Sequence, residues 1–442
     1  MSSDVHKAQD RKRAQPVLRL NTWLLPILVI VLLGLELIVP YRGWEILLIG
    51  LGGALLVSYL WVRGLGNGLK LTREMRFGWA QVGDRIEERF KLSNDSFLPA
   101  PMVELIDHST MPGYEVGRLT HVGAQDLIRW RKDAVCTRRG VYNLGPSTLL
   151  TGDPLGVFSL TVHYPASAPF VVLPPIVPLP DIQVEPGGRG NEGRYRTTAR
   201  HQTVSAASVR EYVSGDSLRW IHWPTSARQN SLYVRLFDGM PAGDWWIVLD
   251  TDEQVQVGRG EASTHEHSVI LAASLADMGL QSRRAVGLVT TDQDLTWIPP
   301  HRGAAQRWEI LRSLAKASLG TTPLSEVLTE IGSAVAPYDS LVIVTPSVSG
   351  SWVEELILLL RRGVAPTVLL LDPKSYGANQ DMEGIAALLS GLEVTHYVIT
   401  RDYLDRADTR PGQQGRMEWH VLSTGHVVPK HPLPDVAWRK LE

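Results

Sequence analysis

Two apolar runs near the N-terminus constrain this chain more than any other feature. Trp23 to Val39 reads WLLPILVIVLLGLELIV and Trp44 to Val62 reads WEILLIGLGGALLVSYLWV, with Pro40-Tyr41-Arg42-Gly43 between them. Each run approaches the ~20 residues that an α-helix needs to cross a bilayer. Trp23, Trp44, Tyr59 and Trp61 stand near the ends, where amphipathic rings meet headgroups. A cleavable signal sequence fits poorly, because a second run follows the first at once. A hairpin buried in a soluble core fits worse, because core helices carry a polar face. The pattern predicts a transmembrane helical hairpin over residues 23–62, after a basic N-terminus at 1–22. Lys7, Arg11, Lys12, Arg13 and Arg19 precede it, Arg63, Lys70, Arg73 and Arg76 follow it, and the turn holds only Arg42. That asymmetry predicts a two-pass protein of the cell (plasma) membrane with both termini cytoplasmic. Glu36 and Glu45 fall near the opposite headgroups, where snorkelling accounts for them.

The remainder is long enough for further domains, since the chain has 442 residues. A net charge of -2 and a pI of about 6.7 give no argument for nucleic acid as a partner. The single cysteine, Cys136, excludes an internal disulfide framework. Over residues 69–179, short alternating runs at 85–92, 102–106, 125–131, 140–144 and 170–173 are punctuated by Gly, Pro, Asn and Asp. That rhythm predicts an antiparallel β-sandwich. Residues 180–203, rich in Gly, Pro and charge, read as a flexible linker. Their glycines are not followed by Lys-Ser/Thr, so they form no phosphate-binding loop. From residue 244 to 442 apolar strands alternate with helical periods, which predicts a doubly wound parallel sheet. The fold class expected is α/β plus β.

Between linker and sheet lies an unusual segment, 204–243. Val209 to Arg235 reads VREYVSGDSLRWIHWPTSARQNSLYVR. It interleaves Arg210, Arg219, Arg228 and Arg235 with Glu211, Asp216 and His222, and with Tyr212, Trp220, Trp223 and Tyr233. Guanidinium groups bind carboxylates in pairs and stack on indole faces, so the mixture predicts a semi-buried internal network. Gly215 suits a turn and Asp216 an N-cap, for a short helix over 217–223 that Pro224 ends. A strand is expected over 231–236.

These residues resemble the signature of the "domain of unknown function 58" family, R-E-Y-x-x-G-D-x-x-R-x-I-x-W followed by an A-R pair. Arg210-Glu211-Tyr212, Gly215-Asp216, Arg219, Ile221, Trp223 and Ala227-Arg228 match it. Pro224-Thr225 departs from it, where the family often has a basic and a small residue. Cys136-Thr137-Arg138-Arg139-Gly140-Val141-Tyr142 and Asp153-Pro154-Leu155-Gly156-Val157-Phe158 are similar to the family's R-R-G-x-Y and D-P-x-G-x-F stretches and read as structural turns. In the α/β half, Asp250-Thr251-Asp252-Glu253-Gln254 at a strand end is similar to the D-x-S-x-S stretch of a von Willebrand factor A-like domain. That family holds Mg²⁺ there through hard oxygens. Here Asp250 matches the first position, Asp252 and Gln254 replace the serines, Thr321 or Thr322 stands where the loop Thr would be, and Pro346 offers no side-chain oxygen. The resemblance therefore implies a degenerate site. No cofactor is expected, with Mg²⁺ on Asp250 and Asp252 kept as the alternative. His265 and His267 lie two apart on a helix and face different ways.

Family members are linked with MoxR-type AAA+ ATPases and with transglutaminase-like membrane proteins. The resemblance thus implies a membrane-anchored, non-enzymatic protein-interaction platform that works with such an ATPase in assembling or activating a client complex. Two alternatives stand beside it. One is a divalent-cation-dependent adhesion or recognition module on Asp250 and Asp252. The other is a hydrolase centred on Asp216 and His222, which the density of polar residues in the segment motivates.

Overall fold

In a computed structural model of the chain, the residues described are 15–187, 206–212, 221–229, 231–237, 243–291, 295–405, 419–421, 427–429 and 439–440. The chain divides into two compact units, Met1–Pro174 with Gln413–Glu442, and Pro175–Gly412.

The first unit opens on strand β1 (Gln15–Leu20), followed by helices α1 (Leu24–Ile38) and α2 (Arg42–Gly68). Strands β2 (Leu69–Met75), β3 (Trp79–Gln81), β4 (Arg85–Asn94), β5 (Ala100–Asp107), β6 (Arg118–Val122), β7 (Asp126–Val135), β8 (Gly140–Leu144), β9 (Ser147–Gly152), β10 (Phe158–Tyr164) and β11 (Ala168–Leu173) come next. They form sheets β1-β10-β9-β5-β6, β2-β4-β7 and β3-β11-β8, which enclose one apolar cluster built on Phe90, Leu92, Val103, Leu149, Leu160 and Phe170. Arg439–Lys440 pairs with the free edge of β2. Two expectations change here. The pairing is not wholly antiparallel, because β11 runs parallel to β3. The basic N-terminus is in part a strand, because Gln15–Leu20 pairs residue by residue with β10, from Gln15 on His163 to Leu20 on Phe158.

The helices are the anomaly of this unit. At 27 residues α2 is long and apolar enough to cross a membrane, while α1 has 15 residues. At 1.5 Å per residue these are ~40 Å and ~22 Å, against a hydrocarbon core of ~30 Å. In α1 only Leu32 is buried, whereas Leu24, Ile30, Leu37 and Ile38 are each more than 60% exposed. On α2 the exposed apolar side chains run from Ile46 to Leu60, and then Val62 and Leu65 are fully buried in the cluster of the sheets. The last turns of α2 therefore belong to the globular body, although the sequence pattern assigned residues up to 62 to the membrane. Trp61 Nε1 donates to Pro99 O at 3.1 Å, and the Tyr59 ring meets Phe158 edge-on. More than ten exposed Leu, Ile and Val side chains on the two helices, each worth ~1.5–3 kcal/mol on leaving water, sum to ~20 kcal/mol or more. A contiguous exposed apolar surface of this kind marks a face that meets a partner or a membrane.

The second unit begins with a strap rather than a free linker. Of the expected linker at 180–203, the residues up to 187 are described, and they are bonded to the sheet that follows. Residues 188–203 lie outside the described residues. Ile182 is buried, the Glu185 N–H donates to Thr367 Oγ1 at 2.8 Å, and the Gly187 N–H donates to Ser340 Oγ at 2.9 Å. A Cβ on Gly187 would collide with Tyr338 O, so only glycine passes there. The hairpin β12 (Ala206–Glu211) and β13 (Tyr233–Phe237) carries helix α3 (Trp223–Gln229) in its loop.

The α/β body then runs β14 (Trp245–Leu249), α4 (Thr264–Gln281), β15 (Val286–Thr291), β16 (Leu295–His301), α5 (Ala304–Lys316), α6 (Leu324–Ile331), β17 (Ser340–Thr345), α7 (Val353–Arg361), β18 (Ala365–Leu371), α8 (Glu383–Gly391) and β19 (Thr395–Ile399). The sheet order is β16-β15-β14-β17-β18-β19, parallel except for the edge strand β16. Every residue of β14, β15 and β17 is buried, as strands covered on both faces must be. Helices α6, α7 and α8 pack on the face of Trp246, Val248, Ile343 and Val368, while α4 crosses β14, β15 and β17. Ser263 caps α4, accepting from the Glu266 N–H at 3.3 Å. Leading from β14 to β15 and from β17 to β18, the connections diverge between β14 and β17. That is the switch point at which sheets of this kind open a crevice.

Candidate functional site

The crevice end of β14 and β17 gathers the polar side chains that the sequence pointed to. Asp250, the residue after β14, is 2% exposed. The Thr345 hydroxyl donates to its Oδ2 at 2.6 Å, and the Asp252 N–H donates to its Oδ1 at 3.1 Å. Burial pushes the Asp250 carboxyl up to about 6, against these two hydrogen bonds, which pull it down. Asp252 is also buried, and its Oδ1 accepts from the Gln254 N–H at 3.0 Å. Asp252 forms a bridge with Gly320, so the loop holding Thr321 and Thr322 is brought to the same edge. Thr251 donates to Thr291 O, and the Ser347 N–H reaches Thr345 Oγ1 at 2.9 Å. Gln256 Nε2 donates to Asp250 O at 2.9 Å and accepts at Oε1 from Thr264.

This donor set suits a metal poorly. Each Asp250 oxygen already accepts a hydrogen bond, and a carboxyl lifted to about 6 marks a site that resists negative charge. Among the described residues no group of three or more His, Cys, Asp and Glu is placed to hold an ion. His265 reaches Ala317 O at 3.4 Å and His267 reaches Tyr376 Oη at 2.6 Å, so the two rings point apart as expected. Cys136 is no nucleophile, because burial first and Asp84 second push its thiol up to about 12.

Only part of the semi-buried network expected in the signature segment lies within the described residues. Gly215, Asp216, Arg219 and Trp220 lie outside the described residues, as do the side chains of Arg210 and Arg235. Trp223 is 66% exposed, and Glu211 and Arg228 are exposed as well, so these three do not stack into a core. Tyr212 is half-buried, and its N–H donates to Leu232 O at 2.7 Å. The described helix begins at Trp223, where the sequence reading ended one. Pro224 stands in its first turn, where its missing N–H costs nothing and its fixed φ favours the helix. The His222 ring is spent locally: its Nδ1 lies 2.7 Å from Thr225 Oγ1 and accepts from the Thr225 N–H at 3.3 Å. The Tyr233 N–H donates to Ser226 Oγ at 2.9 Å, which ties α3 to β13.

A second polar cluster, in the first unit, escaped the sequence reading. Arg73, counted there as a charge flanking the membrane, is 5% exposed inside the sheets. Its Nε bonds Glu88 Oε1 and Oε2 at 3.1 and 3.0 Å, its Nη2 reaches Glu88 Oε2 at 2.7 Å, and its Nη1 reaches Asp107 Oδ1 at 2.8 Å. Ser109 accepts from Nη2 at 3.2 Å, Tyr114 donates to Glu88, and the Phe90 ring lies 5.2 Å from the guanidinium carbon. Burial lifts the Glu88 carboxyl above its ordinary range even though Arg73 pulls it down. The signal was available in the alternation. Leu69, Arg73 and Met75 share one face of β2, and Glu88, Phe90 and Leu92 share one face of β4. The membrane-flank count thereby loses one of its four cations.

The family model described as "Protein of unknown function DUF58" matches residues 208–375, from the β12 strand to the segment after β18. The "Uncharacterized protein YeaD" of Bacillus subtilis (strain 168) is 23% identical over 315 residues, 68% of this chain and 75% of that protein. Among solved structures, a CARDB domain from Pyrococcus furiosus in complex with di-metal ions is 11% identical, covers 24% of this chain and 90% of its own, and superposes with a TM-score of 0.17. Proximal thread matrix protein 1 from the mussel byssus is 14% identical over 37% of this chain and 43% of its own, with a TM-score of 0.25. Superpositions this loose carry no argument. Over residues 208–375, where Arg210-Glu211-Tyr212 and the switch-point aspartates both lie, the chain matches the DUF58 family.

Proposed function

We propose that this protein is a two-pass, membrane-anchored interaction platform without catalytic activity. Helices α1 and α2 cross the bilayer, and both units face the cytoplasm. The observation that carries the reading is the exposed apolar surface of the two helices, joined to strands at either end. Leu20 of β1 precedes α1 by three residues, and α2 runs straight into β2 at Leu69. A pair of crossings whose outer ends enter the sheets of one unit returns both to one side of the membrane. The remaining basic flank, with Arg19 and Arg63 exposed, favours the cytoplasmic side.

The α/β body is then a von Willebrand factor A-like recognition domain, whose crevice edge is rich in hydroxyls and carboxylates bonded to one another. Groups so engaged favour recognition of a partner surface over proton transfer or ion capture. By its resemblance to the family, the partner is a MoxR-type AAA+ ATPase, with a transglutaminase-like membrane protein as a second associate. Crosslinking in native membranes followed by mass spectrometry tests this. An ATP-dependent crosslink from the 244–405 region to an AAA+ ATPase is expected. Recovery of none, with or without ATP, contradicts the partner assignment.

A further inference from the structure

Where α2 leaves its exposed apolar stretch and enters the sheets, the surface changes character within one turn. Leu56, Val57 and Leu60 are exposed, Val62 and Leu65 are fully buried, and Tyr59, Trp61 and Arg63 fall between. In a membrane-spanning chain that boundary is the headgroup level, where Tyr, Trp and Arg settle. A cavity of about 390 Å³ opens at this level. Its walls are apolar on the side of β1 and β10, with Pro16, Leu18 and Leu160, and polar on the helix side, with Tyr59, Arg63 and Asn67. The Arg63 Nη1 donates to Tyr59 Oη at 3.0 Å, which holds the guanidinium at the cavity without neutralising it. Among the described residues Arg63 makes no ion pair with a carboxylate. A bound anion would complete the fork of Arg63, and an acyl chain would continue along the exposed side of α2 above it.

We propose that this cavity binds the headgroup of an anionic phospholipid, with its phosphate on Arg63 and Tyr59 and its chains along Val57 and Leu60. The inference rests on the membrane-anchored reading. A cation within reach of an anionic leaflet favours binding about fivefold. A free phosphate would use the same fork but would gain nothing from the apolar wall.

The test uses the full chain, purified in detergent and reconstituted into nanodiscs of phosphatidylcholine, with or without phosphatidylglycerol. Phosphatidylglycerol retained through native mass spectrometry is the readout. The wild type retains it over phosphatidylcholine, and Arg63→Gln lowers retention about fivefold. Arg63→Lys, with charge but no fork, falls between, and Arg138→Gln, on an exposed turn, leaves it unchanged. Equal retention of both lipids, or no loss in Arg63→Gln, overturns the proposal, and so does displacement of the lipid by inorganic phosphate alone. Far-ultraviolet dichroism on each variant confirms that it is folded. Failure of the chain to enter nanodiscs at all sinks the anchored reading instead, which keeps the two failures apart.

Discussion

Two buried acids carry the most specific consequences at the scale of single residues. Asp250 holds its proton up to a pH of about 6 when folded and releases it near 3.8 when unfolded. Below 3.8 both states are protonated and the group costs nothing. As pH rises from 3.8 through 6 the folded state must give up a proton it binds more tightly, so stability falls across that window. At neutral pH the cost is on the order of 2–3 kcal/mol, because each tenfold difference in proton affinity between the two states is worth ~1.4 kcal/mol. Asp250→Asn is expected to raise the midpoint of thermal unfolding at pH 7 and to leave it unchanged near pH 3.5. A midpoint at pH 7 that drops instead would mean the charged carboxylate is required. The Arg73 cluster makes the opposite prediction. Arg73→Ala strands Glu88 and Asp107 without a counter-charge and is expected to cost ~3–5 kcal/mol. Replacing Arg73 by Met together with Glu88 by Leu costs less, because of the three charges only Asp107 is then left without a partner charge. Equal destabilisation of the single and double variants, measured by thermal melts, would contradict pairing as the cause.

Among the elements, the strap at 175–187 and the edge strand β16 show where local pattern and final structure part. The strap read as a linker because Pro186, Gly187 and Gly188 promise freedom. Its order comes from hydrogen bonds to Thr367 and Ser340, far along the chain, which no local window contains. Gly187→Ala is expected to destabilise the second unit by ~1–3 kcal/mol, since its Cβ meets Tyr338 O. A thermal melt unchanged by the substitution would show that the strap is dispensable. Strand β16 escaped notice because Pro299 and Pro300 break a strand pattern; prolines are tolerated at an edge, where one face of the ladder is unpaired. The central strands Trp245–Leu249 and Ser340–Thr345 are legible in the sequence, because a strand buried on both faces is a nearly uninterrupted apolar run. Asp250 was legible for the same reason, as the first acid after such a run. Arg73 is legible only when the alternation of β2 is read together with that of β4, because one arginine in a strand looks alike whether it faces water or a buried glutamate. Strand β1 is hard to read within a basic tail because its partner among the described residues, β10, lies more than 130 residues on.

For the whole molecule, everything turns on α1 and α2. Their apolar side chains are exposed and their outer ends enter sheets of one unit, and the proposed two-pass topology rests on these two observations. A direct measurement is trypsin digestion of sealed, inside-out membrane vesicles carrying the full chain, with the surviving fragments identified by mass spectrometry. A surviving peptide spanning roughly residues 23–58, with the sheets of both units degraded, is the result predicted. Protection of β2 to β11, or loss of the whole chain from the membrane in a carbonate wash, would contradict it.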